Sequence, residues 1–336
     1  MRLEILESSD AKLWNELIDQ ASNGTLFHYW EWLNIVEKHS KSRLILLVGL
    51  EGNSTLPFIA MPLFLMKKSG LNMVFSPPPA TAIVLGPALI TKDYKQHKLE
   101  LIYLEFQAKL GKLLHELRAN YVNIITSPGL IDIRPFSWAS YQILPCYTYK
   151  IDLRPGLETV VGNFSRTIRH KITNALNKGV QITESTNNSD LEYIYQSLTD
   201  RYSEQYINLL LKKAYLQDIV QKFGGSSIQL VMAIHEGKRV GGMILVKYKD
   251  TISTWLGLVR SQNSNLDVNA CIYQYSIDKA IQEGYQWLDM MGANTPSICD
   301  SKAKYNPIVD IHFQIKKADW LGKLAEKAYM WQKHSR

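Results

Sequence analysis

Arg166, Arg169, Lys171 and Lys178 crowd into the stretch from Asn163 to Val180, with His170 among them. At helical spacing Phe164, Ile168, Ile172, Ala175 and Leu176 form one apolar stripe, while Arg166, Arg169, His170 and Thr173 fall on the other side. Like charges this close repel by about a few tenths of a kcal/mol per pair. The oxygens of a phosphate or a carboxylate would offset that cost, and a guanidinium meets such an anion with two parallel donors. The alternative is a solvated helix face whose cations touch Asp or Glu side chains. Composition leaves both readings open.

Few other patterns suggest chemistry. No GxGxxG follows a first strand, and GxxxxGK[ST], GxSxG, HExxH and HxE with paired cysteines are missing. Gly224-Gly225 and Gly241-Gly242 precede no helix that could receive a pyrophosphate. Gly241-Gly242 lies inside a strand pattern, which marks a bulge or a close backbone approach. The 8 histidines are scattered, so no metal site is expected. Cys146, Cys271 and Cys299 are far apart and odd in number, as suits structural thiols in a reducing compartment. A cysteine nucleophile has no evident histidine partner.

The 336 residues suggest two domains, and 46% hydrophobic with 21% charged residues excludes a disordered or collagen-like chain. The 38 Lys and Arg against 31 Asp and Glu give a formal charge of +7, which favours anionic partners, although plain solubility explains it as well. The start, Met1-Arg2-Leu3-Glu4, has no secretory pattern, and the apolar runs Leu44–Leu50 and Leu56–Met66 are too short to cross a bilayer. A cytoplasmic location is expected, with the inner face of the membrane also open.

The elements that would position these residues come in two similar sets. In the first half, helices are predicted around Leu13–Ile18 and Tyr29–His39. A hairpin of Arg43–Leu50 and Leu56–Lys67 across Glu51-Gly52-Asn53-Ser54 follows, then a strand at Thr81–Leu85, a helix at His97–Asn120 and a strand at Tyr121–Thr126. The second half opens with the basic helix, Val160–Asn177, stopped at Gly179. Helices at Leu191–Arg201 and Ile207–Phe223 come next, then a hairpin of Ile228–His235 and Arg239–Tyr248 across Glu236-Gly237-Lys238. A strand at Thr251–Leu258, a helix at Asp267–Glu283 and a strand at Gln286–Met291 complete it. The repeated order of helix, helix, hairpin, strand, helix and strand indicates a diverged duplication: an α+β fold of two mixed-sheet domains meeting near Tyr149–Pro155.

Several blocks resemble the Fem family. Tyr149-Lys150-Ile151-Asp152-Leu153, followed by Arg169, Ile172, Ala175, Gly179 and Val180, is similar to the entry into that family's second domain. Ala280 to Ala293, with Gly284, Asp289 and Gly292, resembles its "A-x-x-x-G-y-x-x-f-D-x-x-G" block, and Ser301-Lys302-Ala303-Lys304-Tyr305-Asn306 its "F-K-x-x-F-G" block. His28 to Trp32, Pro62 and Gly86-Pro87 fit the first domain. The resemblance, to FemAB-like and BioF2-like acyltransferases, implies two tandem GNAT-type domains. The first would be 1–150, completed by 310–336, and the second 151–309. It also implies transfer of an activated acyl or aminoacyl group to an amine of a phosphate-bearing or envelope-related acceptor. By that likeness Arg169 is the phosphate clamp, with Arg166 beside it, Lys302 or Lys304 is its neighbour, and Asp289 positions the acceptor or serves as catalytic base. No permanently bound cofactor is implied; aminoacyl-tRNA or an acyl thioester acts as co-substrate. The implied partners are a phosphate-bearing or lipid-linked small-molecule acceptor, with tRNA and a peripheral membrane contact open.

Two departures from the family bear on the donor and acceptor. There is no room for the long helical hairpin of some tRNA-dependent members, and Ser301 and Asn306 replace the usual Phe and Gly. Arg260–Asp267 contains no glycine, unlike the [QR]-x-x-G-x-[GA] loop of CoA-dependent GNAT enzymes, so a standard acetyl-CoA site is not expected. A non-catalytic binding paralogue and an RNA-binding module are the alternative functions, though no RRM, KH or zinc-finger signature is present. The C-terminal stretch Lys316–Lys333 carries Trp320, Leu324, Ala325, Ala328 and Trp331 along one side among lysines. It reads as a helix lying on an anionic membrane or docked on the first domain.

Overall fold

The computed structural model describes residues 1–52, 56–90, 94–130, 132–257 and 266–334. In chain order the first elements are β1 (Arg2–Leu6), α1 (Ala11–Gln20), α2 (Trp30–Ser40), β2 (Arg43–Leu50), β3 (Pro57–Lys68), β4 (Leu71–Ser76), β5 (Ala88–Leu89), α3 (Gln96–Glu116), β6 (Tyr121–Ile125) and α4 (Arg134–Trp138). Then come β7 (Gln142–Asp152), α5 (Leu157–Gly162), α6 (Arg166–Asn177), β8 (Gln181–Ser185), α7 (Asn188–Glu204), α8 (Lys213–Phe223), β9 (Ile228–His235), β10 (Lys238–Tyr248) and β11 (Thr251–Gly257). The chain ends with α9 (Val268–Gln282), β12 (Trp287–Asp289), α10 (Pro296–Ala303), β13 (Ile308–Ala318) and α11 (Trp320–His334). Both the helices and the mixed sheet of an α+β fold are present.

The chain divides into two compact units. Unit 1 is Met1–Pro145 with Ile311–Arg336, and unit 2 is Cys146–Asp310. In unit 1 the strands lie in the order β1-β2-β3-β4-β6-β13, and β5 pairs with β3. In unit 2 the order is β8-β9-β10-β11-β12-β7. The two orders match position by position: β4 and β6 are parallel, as are β11 and β12, and every other neighbouring pair is antiparallel. Thus the last strand of unit 1, beside β6, comes from the chain's C-terminal segment, and the last strand of unit 2, beside β12, comes from the segment that precedes that unit's helices.

Each core follows from strand alternation and helical stripes. In unit 1, Phe106, Leu110 and Leu114 of α3 pack with Leu47, Met61, Leu63 and Val74 of the sheet. In unit 2, Ile272 and Ile277 of α9 pack with Val231, Met243 and Leu245 and with Ile168 and Ile172 of α6. Gly241 and Gly242 allow close approach on both faces of β10. A Cβ at Gly241 would come within 2.9 Å of Val268, and one at Gly242 within 2.8 Å of Ile194, while the register shifts between Arg239 and Gly241.

The structure differs from the sequence reading in several places. The expected strand Thr81–Leu85 is an irregular segment with one bridge, Leu85 to Thr126; the strand parallel to β6 is β4, just before Pro77. The basic helix expected over Val160–Asn177 is two helices, because Ser165 caps α6 by accepting the Ile168 N–H at 3.3 Å and Phe164 turns into the core between them. Lys316 and Lys317 belong to β13, so the final helix begins only at Trp320. Asn53 and Ser54 of the first hairpin turn, Leu258 of the predicted strand, and 260–265 of the glycine-free loop lie outside the described residues.

Candidate functional site

Unit 2 splits its sheet where β11 and β12 part. Their parallel register runs from Thr251 and Trp287 to Ser253 and Asp289 and stops there. Beyond it β11 follows β10 up to Gly257 opposite Met243. The chain after β12 instead follows β7: Met290 donates its N–H to Tyr149 O at 2.8 Å, and Ala293 to Tyr147 O at 2.8 Å. A backbone parted in this way leaves polar groups without sheet partners.

Lys302, on α10, satisfies three of them. Its ammonium donates to Met290 O at 2.7 Å, to Met291 O, and to Gly292 O at 3.0 Å. Those are all the hydrogen bonds an ammonium can donate. Met291 and Gly292 both have positive φ, 48° and 73°, so the turn that gathers these carbonyls is itself unusual. Burial pulls the Lys302 amine down to about 8, against the opposing pull of Asp289 and Cys299.

Asp289 ends β12 and is buried. Its Oδ1 accepts the Thr148 hydroxyl at 2.5 Å and the Met291 N–H at 2.8 Å. Burial raises its carboxyl above the usual range, and the Thr148 and Met291 hydrogen bonds and the Lys150 and Lys302 charges work against that rise. Two buried hydroxyls complete the site: Thr254 Oγ1, one residue past the last β11–β12 pair, and Tyr273 OH, on α9. Neither has a hydrogen-bond partner in normal geometry, though the Thr254 hydroxyl is close enough to temper the rise that burial imposes on Tyr273. The Asp289 charge also acts on Tyr273, which places the phenol in the carboxylate's field.

The other expected residues stand farther along the same unit. Ser165, the α6 cap, donates its N–H to Lys304 O at 2.8 Å and so ties the start of the basic helix to the end of α10. Aromatic rings continue that link inward, Phe164 to Tyr305 at 5.1 Å and Tyr305 to Tyr273 at 4.8 Å. Arg169 is exposed, but one terminal nitrogen of its fork donates to Gly162 O at 2.6 Å and to Phe164 O at 2.5 Å, carbonyls at the end of α5 and the bend after it. Lys304 points its amine at Asp300, 2.8 Å away on the exposed face of α10. Arg166 is exposed and makes no side-chain hydrogen bond or ion pair among the described residues. Asp289 and Lys302 are therefore brought together, whereas Arg166, Arg169 and Lys304 lie at the surface around the α6 start. Thr148, Thr254 and Tyr273 were missed in the sequence. The available signal was a hydroxyl at an inward-facing position of an otherwise apolar element.

Unit 1 closes its own parting of parallel strands. Past Ser76 and Ile124, the last β4–β6 pair, Leu85 takes the vacant place, donating to Ile125 O at 2.8 Å and accepting from Ser127 N–H at 3.0 Å. Buried Asn23 holds that segment, donating to Pro87 O at 2.9 Å and to Ser127 Oγ at 3.1 Å and accepting the Leu89 N–H at 2.7 Å. Every polar arm of Asn23 is used structurally.

Residues 162–297 match the family model described as an acetyltransferase (GNAT) domain. No curated protein matches the chain. Among solved structures it is similar to FemX, with a TM-score of 0.68 at 10% identity over 94% of this chain and 97% of that one. It is also similar to the C-terminal domain of a putative lysylphosphatidylglycerol synthetase from Agrobacterium fabrum (TM-score 0.55, 10% identity, 98% and 96% covered). A third similar structure is a tandem GNAT protein from the clavulanic acid biosynthesis pathway (TM-score 0.53, 10% identity, 95% and 99% covered). Identities this low speak to the fold alone. The chain has the fold of the GNAT/FemAB-like acyltransferase superfamily.

Proposed function

We propose that the chain is an N-acyltransferase, moving an activated acyl or aminoacyl group to an amine of a phosphate-bearing or envelope-related acceptor, with the reacting groups at the β11–β12 parting. The observation that carries this reading is the pairing of a desolvated lysine, Lys302, with a buried carboxylate, Asp289, beside two hydroxyls that lack partners. Buried polar groups without partners are rare and mark places where a ligand or water is received. Thr254 and Tyr273 would donate to the carbonyl oxygen of the acyl group as it becomes an oxyanion, and the Lys302 charge would stabilise the same oxygen through space. Asp289 would take the proton that the acceptor nitrogen sheds as its neutral amine adds to the acyl carbonyl, since burial raises its affinity for protons.

The donor is an activated ester or thioester, so no covalent enzyme intermediate is needed and correct placement supplies much of the acceleration. Arg166, the free half of Arg169's fork and Lys304 would receive the acceptor's phosphate at the start of α6. Lys302 has its three hydrogen bonds committed to backbone, so its part is electrostatic and not that of a phosphate clamp. A cytoplasmic site of action fits these substrates.

The test is a transfer assay. Aminoacyl-tRNAs and acyl-CoAs are offered as donors with a nucleotide-linked peptidoglycan precursor or phosphatidylethanolamine, both of which carry an amine, as acceptor, and products are read by mass. Transfer by the parent that is lost in Asp289→Asn, with folding intact, supports the reading. Transfer unchanged in Asp289→Asn removes this site from the reaction.

A further inference from the structure

Unit 1 carries an open cavity of about 610 Å³ at the ends of β2, β3 and β4. Strand register builds its floor. Arg43 lies opposite Leu65 and Lys67 opposite Asn72, and Leu65 and Lys67 are two residues apart, so all four side chains leave the same face. Lys41 and Arg118 complete the rim, each with positive φ just past the end of a helix, α2 and α3 respectively. None of these four cations makes an ion pair among the described residues. Two carboxylates stand in the wall, Glu37, which also accepts the Leu44 N–H at 2.6 Å, and Glu116, so four cations face two anions. The two helix ends carry partial negative charge that answers part of this excess, and a surplus of positive charge remains.

A ladder of hydrogen bonds joins the cavity to α11. Asn72 donates its N–H to Asn120 Oδ1 at 2.9 Å, Asn120 donates to Asp319 Oδ2 at 2.8 Å, and Asp319 Oδ1 accepts the Gly322 N–H at 2.8 Å at the start of α11. Gly322 is the point of attachment, since a Cβ there would overlap the Asn120 carbonyl. Away from that contact the helix presents Trp320, Leu321 and Leu324 to solvent, 69%, 37% and 57% exposed, next to Lys323 and Lys327.

We propose that this face of unit 1 is a peripheral docking surface for an anionic lipid bilayer. The cavity's cations engage lipid phosphates, and Trp320, Leu321 and Leu324 enter the headgroup region. Charge complementarity selects the occupant. Cations beside exposed Trp and Leu on an amphipathic helix are the combination that binds an anionic interface. A free phosphate compound would account for the cavity but not for three apolar side chains held in water on the adjoining helix. This inference is independent of the chemistry at Asp289.

Co-sedimentation of the full chain with vesicles tests it. Vesicles of phosphatidylcholine alone are compared with vesicles containing phosphatidylglycerol, at low and high salt. Binding to the anionic vesicles only, weakened by salt, is expected. Arg43→Gln with Arg118→Gln should lower partitioning by about 25-fold, at about fivefold per basic residue, and Trp320→Ser with Leu324→Ser by about tenfold. Lys238→Gln, on a unit 2 hairpin, should leave partitioning unchanged. Thermal midpoints near the parent's establish that each variant is folded. Equal binding to neutral vesicles, or partitioning indifferent to both double substitutions, overturns the proposal. So does a change of oligomeric state in the Trp320/Leu324 variant, which would assign the face to a second copy. Saturation of the cavity by inorganic phosphate with vesicle binding unaltered also overturns it.

Discussion

Replacing Lys302 with methionine should change how stability depends on pH. In the folded chain burial holds the amine at about 8, against 10.5 for an ordinary lysine. A lysine whose folded value is depressed binds fewer protons when folded than when unfolded between those two values. Stability therefore rises with pH across that window, and the penalty for burying the charge is fully present below pH 8. Each pH unit of difference corresponds to about 1.36 kcal/mol. The full penalty is then about 3 kcal/mol, of which about 2 kcal/mol is relieved between pH 7 and pH 9.5. Lys302→Met has no such group. At pH 7 the variant gains by losing a desolvated charge and loses the three hydrogen bonds to Met290, Met291 and Gly292, so its stability should lie within about 2 kcal/mol of the parent. The informative quantity is the difference between the two proteins, because tyrosines whose hydroxyls are pushed up, Tyr275 among them, affect both equally at high pH. Urea unfolding followed by tryptophan fluorescence across pH 7 to 9.5 measures it. The parent should gain about 2 kcal/mol on the variant over that range. Parallel profiles would mean that Lys302 is hydrated like a surface lysine, and the account of its burial would be wrong.

Other substitutions test the scaffold around the site. Arg169→Ala should cost about 1 kcal/mol in urea unfolding, because the fork's bonds to Gly162 and Phe164 carbonyls are lost, and Arg169→Lys should restore about half. Gly257→Ala should destabilise by about 2–4 kcal/mol, seen as a lower thermal midpoint, since φ is +122° and a Cβ would overlap the Gly242 carbonyl. Asn23→Ala should cost about 2–4 kcal/mol by leaving the Leu89 N–H and the Pro87 carbonyl unpartnered in the interior, again read by urea unfolding.

The central hairpins were legible because their strands are long apolar runs flanking a short polar turn, as in β2–β3 and β9–β10. The helices α3 and α9 were legible from their apolar stripes. Three other strands were not. β1, β8 and β13 expose many of their residues, including Ile308 and Val309, so their pattern resembles a loop. β13 also finds its partner β6 almost 200 residues upstream, with Gln314 opposite Ile125, a pairing that no local signal encodes. Within the site, Asp289 stood out at a strand end followed by glycine, and Lys302 through the Fem-like block. Its work in capping Met290, Met291 and Gly292 depends on where two parallel strands part, which sequence does not specify. Tyr273 and Thr254 were hidden by good packing, since each occupies a position that an apolar residue would fill.

The central claim is that acyl transfer takes place at Asp289 and Lys302. Its most direct test is product formation by mass spectrometry for the parent, Asp289→Asn and Lys302→Met at equal concentration of folded protein, with the donor and acceptor panel described above. The account predicts a new amide in the parent and a rate at least about 100-fold lower in each variant, the scale for removing a charged group that acts on the transition state. A donor–acceptor pair turned over by the parent and by both variants at equal rates would contradict it.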